Sequence, residues 1–221
     1  MENLKTAVWI AHSLFERGKA SGSSANMSFK EKDLIYITGS GTCFGTLKEE
    51  DFSVLSLDGE WISGPKPSKE FPLHQMMYEK SEEIQAVIHT HSFYATLWSC
   101  AVHENRTDCI PQYTPYLKMK LGTVGLVPYG KPGSEELFSA FRQCVSGSDG
   151  FLLENHGPIV GGQKSAGCLL LPGRTGRKRK NGLGNRIQAR ASFFPQNLIY
   201  KRKSTDRSHV KERRFPCHNV L

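Results

Sequence analysis

The chain has 221 residues, of which 38% are hydrophobic, so it can bury a sizeable core as a globular domain. No apolar run approaches the roughly 18 residues of a membrane-spanning helix, and the first residues lack the apolar block of a secretory signal. These features exclude the membrane and secreted classes, and we expect a cytoplasmic protein without a membrane partner. Six scattered cysteines without Cys-x-x-Cys spacing favour reduced, buried thiols.

The formal net charge of +8 comes from one end of the chain. Residues 164–221 hold 15 Lys and Arg against two acidic residues, whereas residues 1–163 hold 14 basic and 19 acidic residues. The sequence therefore divides into a mildly acidic body, 1–163, and a basic, Gly-rich tail, 164–221. We expect the body to form one domain and the tail to be disordered, because the tail has no regular apolar period.

The body alternates predicted helices and strands. In chain order, the apolar patterns predict a helix (4–19), a Gly/Ser-rich loop (21–29), a strand (33–38), a β-hairpin (53–63), a helix (70–80), a strand leading into His89 and His91, a strand (123–127), a helix (135–145) and a strand (150–153). The first helix is expected to bury Leu4, Val8, Ala11 and Phe15, and the second to bury Leu73, Met76 and Met77.

Two polar features of these elements also carry expectations. His74, on the second helix, belongs to no ligand spacing and is interpreted as a structural or surface histidine. The small residues of the Gly39-Ser40-Gly41 segment predict backbone N–H groups that are exposed to an anion.

The sequence His89-Thr90-His91 is typical of half a metal site. Residues two apart on a strand project from the same face, so both imidazoles are expected to point the same way. A catalytic zinc ion usually has three protein ligands and one open position, and His156 and Glu70 are available as a third ligand and a nearby carboxylate. On the pair of histidines alone, a chance occurrence on a half-buried strand remains an alternative.

Six motifs occur in the order seen in the class II aldolase/adducin family, which residues 4–163 resemble. The motifs are Thr38-Gly39-Ser40, the segment 58–70, His89-Thr90-His91-Ser92, Thr114-Pro115-Tyr116, Val127-Pro128-Tyr129 and Asn155-His156-Gly157-Pro158. Within the family, the segments 66–70 and 114–116 are most similar to the 3-oxo-tetronate 4-phosphate decarboxylases. The resemblance implies an α/β, three-layer αβα class II aldolase-like fold with a mainly antiparallel central sheet.

The resemblance also implies roles for individual residues. His89, His91 and His156 correspond to the ligands of a divalent metal, usually Zn²⁺, with one ion per subunit. Glu70 corresponds to the acid/base residue, which can take the fourth metal position in the absence of substrate. Residues that bind the substrate phosphate in relatives correspond to Asn26, Thr38, Gly39, Ser68 and Lys69. Tyr116 falls near a tyrosine that donates a proton from a neighbouring subunit, and Ala25 departs from the usual glycine of the phosphate loop.

The implied reaction is metal-dependent decarboxylation of a 3-oxo-tetronate 4-phosphate to dihydroxyacetone phosphate and CO2. Loss of CO2 from a 3-oxo acid leaves an enediolate, whose negative charge a divalent metal ion stabilises. Because phosphate aldolases share this enediolate, a fuculose-phosphate-type aldolase or a sugar-phosphate 4-epimerase is the alternative. A non-catalytic adducin-like domain is a further alternative, and retention of all three histidines and Glu70 argues against it.

The tail allows two interpretations. A basic segment can be a nucleic-acid or targeting arm. Alternatively, codons for residues 163–177 can be chosen so that moving one base forward encodes Lys-Asn-Leu-Leu-Asp-Ala-Phe-Tyr-Cys-Leu-Glu-Glu-Leu-Glu, an amphipathic helix pattern. The family has C-terminal helices at this point and forms cyclic tetramers with active sites between subunits. We therefore favour an out-of-frame tail, no nucleic-acid partner, and a homotetramer where the C-terminal segment is intact.

Overall fold

A computed structural model of the protein describes residues 2–113 and 115–163, so every expectation for the tail lies outside the described residues. The described part contains, in chain order, α1 (Glu2–Glu16), β1 (Asn26–Glu31), β2 (Leu34–Thr38), a 3-10 turn (Glu49–Asp51), β3 (Phe52–Ser56), β4 (Trp61–Ser63), α2 (Phe71–Lys80), β5 (Ile84–His89), α3 (Phe93–Ser99), α4 (Pro115–Lys120), β6 (Val124–Val127), α5 (Glu135–Cys144), β7 (Gly150–Leu153) and β8 (Gly157–Gln163).

The strands form one sheet in the order β4-β3-β2-β1-β5-β8-β7-β6. Neighbouring strands are antiparallel throughout, except that β6 and β7 run parallel. The predicted mainly antiparallel sheet is therefore confirmed. Near the middle of the sheet, Asn26 of β1 lies directly opposite His89 of β5.

Helices cover both faces of the sheet, as a three-layer fold requires. Alternation along β1 sends Met27 and Phe29 into the cluster that α1 covers, whereas Asn26 and Ser28 face α2. The α2 face holds a second apolar cluster that includes residues of α5, and a third cluster joins α3 and α4 to β6 and β7. The polar residues of β1 are thus buried between the sheet and α2.

Most predicted elements of the body are confirmed, but the buried face of α1 is rotated from the prediction. Leu14 is buried, whereas Phe15 is 37% exposed and lies against the backbone at Gly45. The expected burial of Leu73, Met76 and Met77 on α2 is confirmed.

The prediction of a loop over residues 21–29 is wrong from Asn26 onward, because β1 begins there. Asn and Ser have low intrinsic strand preference, but β1 is hydrogen-bonded to a strand on each side, and this pairing outweighs local preference. The short elements α3, α4 and β8 had no counterpart in the sequence prediction.

None of the helices in the described ranges combines the length and the hydropathy that crossing a bilayer would need. The predicted cytoplasmic location stays a prediction.

Candidate metal centre

Four side chains meet where the central strands end. His89 is the last residue of β5, His156 directly precedes β8, and Glu70 directly precedes α2. His91 lies two residues beyond β5, so the turn into α3, and not alternation along a strand, brings its ring to the others. The ring centroids of the three histidines are 5.0, 4.7 and 4.6 Å apart in pairs, and all three histidines line one site.

The distances between donor atoms match those of ligands around a single ion. The Nε2 atoms of His89 and His91 are 3.1 Å apart, and ligand atoms of all three histidines lie within 4.8 Å of one another. Glu70 places Oε2 at 3.5 Å from Nε2 of His89 and Oε1 at 3.4 Å from Nε2 of His156. Tetrahedral ligation with metal–nitrogen bonds of about 2.0–2.1 Å separates the ligand atoms by roughly 3.3–3.4 Å.

A backbone carbonyl fixes the tautomer of His89. Its Nδ1 lies 2.9 Å from the carbonyl oxygen of Pro158, which can only accept a hydrogen bond. Nδ1 must therefore carry the proton and donate, and in the neutral ring Nε2 keeps its lone pair directed at the cluster. This arrangement is the usual one for a metal-binding histidine.

Burial keeps the three imidazoles neutral. It lowers the pKa of His89 to about 3, with a further contribution from His91, and it lowers the pKa of His156 to about 3, with a further contribution from His89. Burial is also the main cause of the lowered pKa of His91. Neutral rings are the form that binds metal ions.

Several buried polar atoms at this point lack a hydrogen-bond partner among the described residues. Oε1 of Glu70 and both ring nitrogens of His156 are in this position. Burying unpaired polar atoms is costly, and a divalent cation between them would satisfy Oε1 and Nε2 together. The donor set of three neutral imidazoles and one carboxylate fits Zn²⁺ and similar ions.

The turn that delivers His156 depends on two backbone features. Asn155 adopts a positive φ of 57°, which asparagine tolerates better than most residues. A Cβ atom on Gly157 would lie 2.3 Å from the carbonyl oxygen of Thr90, so only glycine lets this turn approach the segment between His89 and His91.

A polar cavity of about 170 Å³ opens beside the histidines. Four of the five predicted phosphate-binding residues line it, namely Asn26, Gly39, Ser68 and Lys69, together with Glu70, His91 and His156. Thr38 does not line the cavity, because it is fully buried and its Oγ1 accepts a hydrogen bond from the backbone N–H of Met27. The cavity also includes residues that were not among the predicted site residues: Ser23, Ser24, Ala25, Ser40, Gly41 and Pro132.

Two backbone amides of the 39–41 segment, which were expected to face an anion, are hydrogen-bonded within the protein instead. The N–H of Gly39 donates to the carbonyl of Asp51 at 2.8 Å, and the N–H of Ser40 donates to the carbonyl of Lys66 at 2.8 Å. The prediction is wrong for these two amides, because the segment continues sheet-like pairing to Pro67. Side chains therefore supply more of the polar surface of the cavity, and backbone amides less, than the sequence predicted.

Tyr116 does not line the cavity formed by the described residues of its own subunit. It lies on the first turn of α4 and is 59% exposed. Its role as a proton donor to a neighbouring subunit stays a prediction.

A buried hydrogen-bond series, which sequence reasoning missed, leads away from Glu70. Its contacts are Asn26 Nδ2 to Glu70 Oε2 (2.8 Å), His74 Nε2 to Asn26 Oδ1 (2.6 Å), Ser28 Oγ to His74 Nδ1 (2.7 Å) and Ser28 Oγ to Tyr78 OH (2.6 Å). The sequence signal was present: Glu70, which precedes α2, is spaced by four from His74 and Tyr78 on the helix, and Asn26 and Ser28 are spaced by two on β1.

Comparisons with known proteins found a matching family and several named relatives. Residues 5–170 match the family model described as Class II Aldolase and Adducin N-terminal domain. The 3-oxo-tetronate 4-phosphate decarboxylase of Pectobacterium atrosepticum is 42% identical over 157 residues, which is 71% of this chain and 72% of that protein. The L-fuculose phosphate aldolase of Methanocaldococcus jannaschii is 38% identical over 159 residues, which is 72% of this chain and 83% of the aldolase.

A solved structure supports the fold. YgbL of Klebsiella pneumoniae, whose description gives aldolase, epimerase and decarboxylase as alternatives, matches with a TM-score of 0.69 and 39% identity. The match covers 74% of this chain and 80% of that protein. The predicted class II aldolase-like fold is confirmed.

Proposed function

Because this chain belongs to the class II aldolase and adducin family, we propose that it is a metal-dependent carbon–carbon lyase that decarboxylates a 3-oxo-tetronate 4-phosphate to dihydroxyacetone phosphate and CO2. The observation that carries the proposal is the convergence of three neutral histidines and Glu70 beside a polar cavity. Relatives named for this decarboxylase activity are 36–42% identical over about 70% of the chain.

The proposed metal ligands are His89, His91 and His156, with Glu70 in the fourth position when substrate is absent. A bound Zn²⁺ ion would act as a Lewis acid that stabilises negative charge on adjacent substrate oxygens. Neutral imidazoles and the fixed tautomer of His89 prepare the site for such an ion.

Glu70 is the proposed acid/base residue. Its carboxylate is buried at the cavity wall, so a proton held there is shielded from bulk water. After CO2 leaves, the carbon that carried it requires a proton; Glu70, after taking up a proton from water, or Tyr116 of a neighbouring subunit would donate it. Ser68 and Lys69 lie beside Glu70, where a hydroxyl group and a cation suit the substrate phosphate.

Aldol cleavage of a sugar phosphate is the second candidate, because relatives at 35–38% identity are named L-fuculose phosphate aldolase. The same four residues serve both reactions. Product analysis separates the candidates, since only decarboxylation releases CO2.

The test is to incubate zinc-loaded protein with a 3-oxo-tetronate 4-phosphate and with L-fuculose 1-phosphate, measuring CO2 and dihydroxyacetone phosphate. Decarboxylation should predominate, and Glu70→Gln should lower turnover by roughly 10²–10⁴-fold while the metal stays bound. His12→Gln, which changes a histidine whose Nε2 lies 2.9 Å from the carbonyl oxygen of Leu47, is the control. Release of dihydroxyacetone phosphate from the aldol substrate alone would establish the aldolase instead.

A further inference from the structure

When Glu70 is ionised, the hydrogen-bond series behind it has only one consistent direction. The carboxylate of Glu70 accepts from Nδ2 of Asn26, so Oδ1 of Asn26 must accept from Nε2–H of His74. Burial lowers the pKa of His74 to about 3, so its ring is neutral and Nδ1 is an acceptor. Ser28 must then donate to Nδ1, and Tyr78 must donate to Ser28.

We propose that His74 is a positioning residue for the reaction, because it sets the orientation of the Asn26 amide and thereby the position of the Glu70 carboxylate. The proposal deepens the proposed function and rests on it, since it concerns the residue that transfers the proton. His74 does not line the cavity, and it acts through Asn26.

The physical reason lies in the symmetry of the asparagine amide. The side chain of Asn26 can rotate by half a turn at little steric cost, which would direct Oδ1 at Oε2 of Glu70. Two acceptors would then face each other at 2.8 Å, the distance now spanned by the hydrogen bond. The Nε2–H of His74 excludes this state, because it requires an acceptor in front of it at 2.6 Å.

Packing alone does not require a histidine at this position. The side chain is fully buried between α2 and the sheet, where an apolar ring of the same size would fill the space. A histidine there is favourable only because both ring nitrogens are paired, with Asn26 on one side and Ser28 on the other. The bond to Asn26 continues to Glu70, and the bond to Ser28 continues to Tyr78.

The consequence for the site is that Oε2 of Glu70 has two close neighbours, Nδ2 of Asn26 at 2.8 Å and Nε2 of His89 at 3.5 Å, of which only Asn26 can donate a hydrogen bond, because Nε2 of His89 carries a lone pair. Without the first contact, the carboxylate can turn away from the position that a fourth ligand or a proton donor needs. Loss of such a supporting hydrogen bond typically costs about 10–100-fold in activity or metal affinity.

The test compares two amide substitutions of the same residue. In His74→Gln, the amide nitrogen can replace Nε2 and donate to Asn26, whereas the shorter side chain of His74→Asn reaches only the place of Nδ1. Turnover, KM, melting temperature and the visible spectrum of the Co²⁺-loaded protein are measured for both, with His12→Gln and His12→Asn as matched controls. Glu70→Gln provides the reference spectrum for loss of the carboxylate.

The expected result is that His74→Asn lowers kcat by about 10–100-fold with KM changed less than about threefold, and shifts the cobalt spectrum toward that of Glu70→Gln. His74→Gln should retain most of kcat and the wild-type spectrum. Equal losses in both variants, no loss in His74→Asn, or failure of both to fold would assign His74 a purely structural role and overturn the proposal. If the protein turns over no sugar phosphate even when the residues after 162 are encoded one base forward, the proposed function fails, and the spectra still decide the positioning role.

Discussion

The carbonyl of Pro158 determines which nitrogen of His89 is available to a metal ion. Because Nδ1 donates its hydrogen bond to that carbonyl, the unprotonated Nε2 faces Nε2 of His91 at 3.1 Å. No such partner fixes the ring of His156 within the described residues. His89 is therefore the ligand whose orientation is already set before an ion binds.

Removing His89 and His91 together should abolish metal binding. The wild type is expected to hold roughly one Zn²⁺ or similar ion per chain, and His89→Ala/His91→Ala to hold almost none, because one imidazole and one carboxylate remain. Elemental analysis of purified protein measures this directly. The matched control replaces His12 and His103, which bond to backbone carbonyls elsewhere. Equal metal content in both double variants would show that His89 and His91 do not form a metal site.

Acid should destabilise the metal-free protein partly through His74. Burial lowers the pKa of this residue from 6.5 to about 3, so below about pH 6.5 the unfolded chain takes up a proton that the folded protein refuses. The contribution of His74 is therefore fully present above pH 6.5 and is lost as the pH falls toward 3. Each pH unit in this window costs up to about 1.4 kcal/mol.

Urea unfolding of metal-free wild type and His74→Gln between pH 7.5 and 5 measures this loss, because glutamine does not titrate. The free energy of unfolding should fall less steeply in His74→Gln. Parallel pH profiles would show that His74 takes up its proton in the folded state as easily as in the unfolded state.

At the level of elements, the site depends on the turn between β7 and β8. A Cβ on Gly157 would meet the carbonyl oxygen of Thr90 at 2.3 Å, and backbone cannot move aside as a side chain can. Gly157→Ala should therefore lower stability by about 1–3 kcal/mol and weaken metal binding by displacing His156. Gly147→Ala is the control, since its nearest contact would lie at 3.4 Å. Thermal melts and metal titration should separate the two variants; identical behaviour would mean that the turn adapts.

Sequence patterns predicted the elements that have a clear period and missed those defined by their neighbours. The α2 helix and the β3–β4 hairpin have strong local patterns and were confirmed. The strand β1 was missed, because its Asn, Ser and Lys residues resemble a loop until pairing on both sides is known. Local periodicity does not reveal which distant segments pair as strands.

The candidate site shows the same division. Motifs identified the three histidines and Glu70, and the structure brings them together. They could not identify His74 as a partner of Asn26, because that contact joins residues 48 positions apart. They also assigned His91 to a strand face, whereas a turn places it.

At the scale of the whole molecule, several large apolar side chains of the described residues are exposed around α3 and α4. Phe93 is 66% exposed, Leu97 45% and Met119 72%. Exposed apolar surface of this kind often marks a protein interface. The predicted homotetramer, in which this surface would be covered and Tyr116 would reach a neighbouring site, stays a prediction.

The last prediction concerns residues 164–221, which we propose are encoded out of frame. A chain whose codons are shifted one base forward after residue 162 would carry an amphipathic segment able to cover apolar surface. That chain should be tetrameric and active, whereas the present sequence should be less soluble, less stable or inactive. The two chains are compared by light scattering, thermal melting and turnover. Sequencing codons 160–180 locates the shift of the reading frame. A well-folded, active tetramer from the present sequence would show that the tail is genuine. Salt-dependent binding of nucleic acid by the isolated tail would then point to a functional arm.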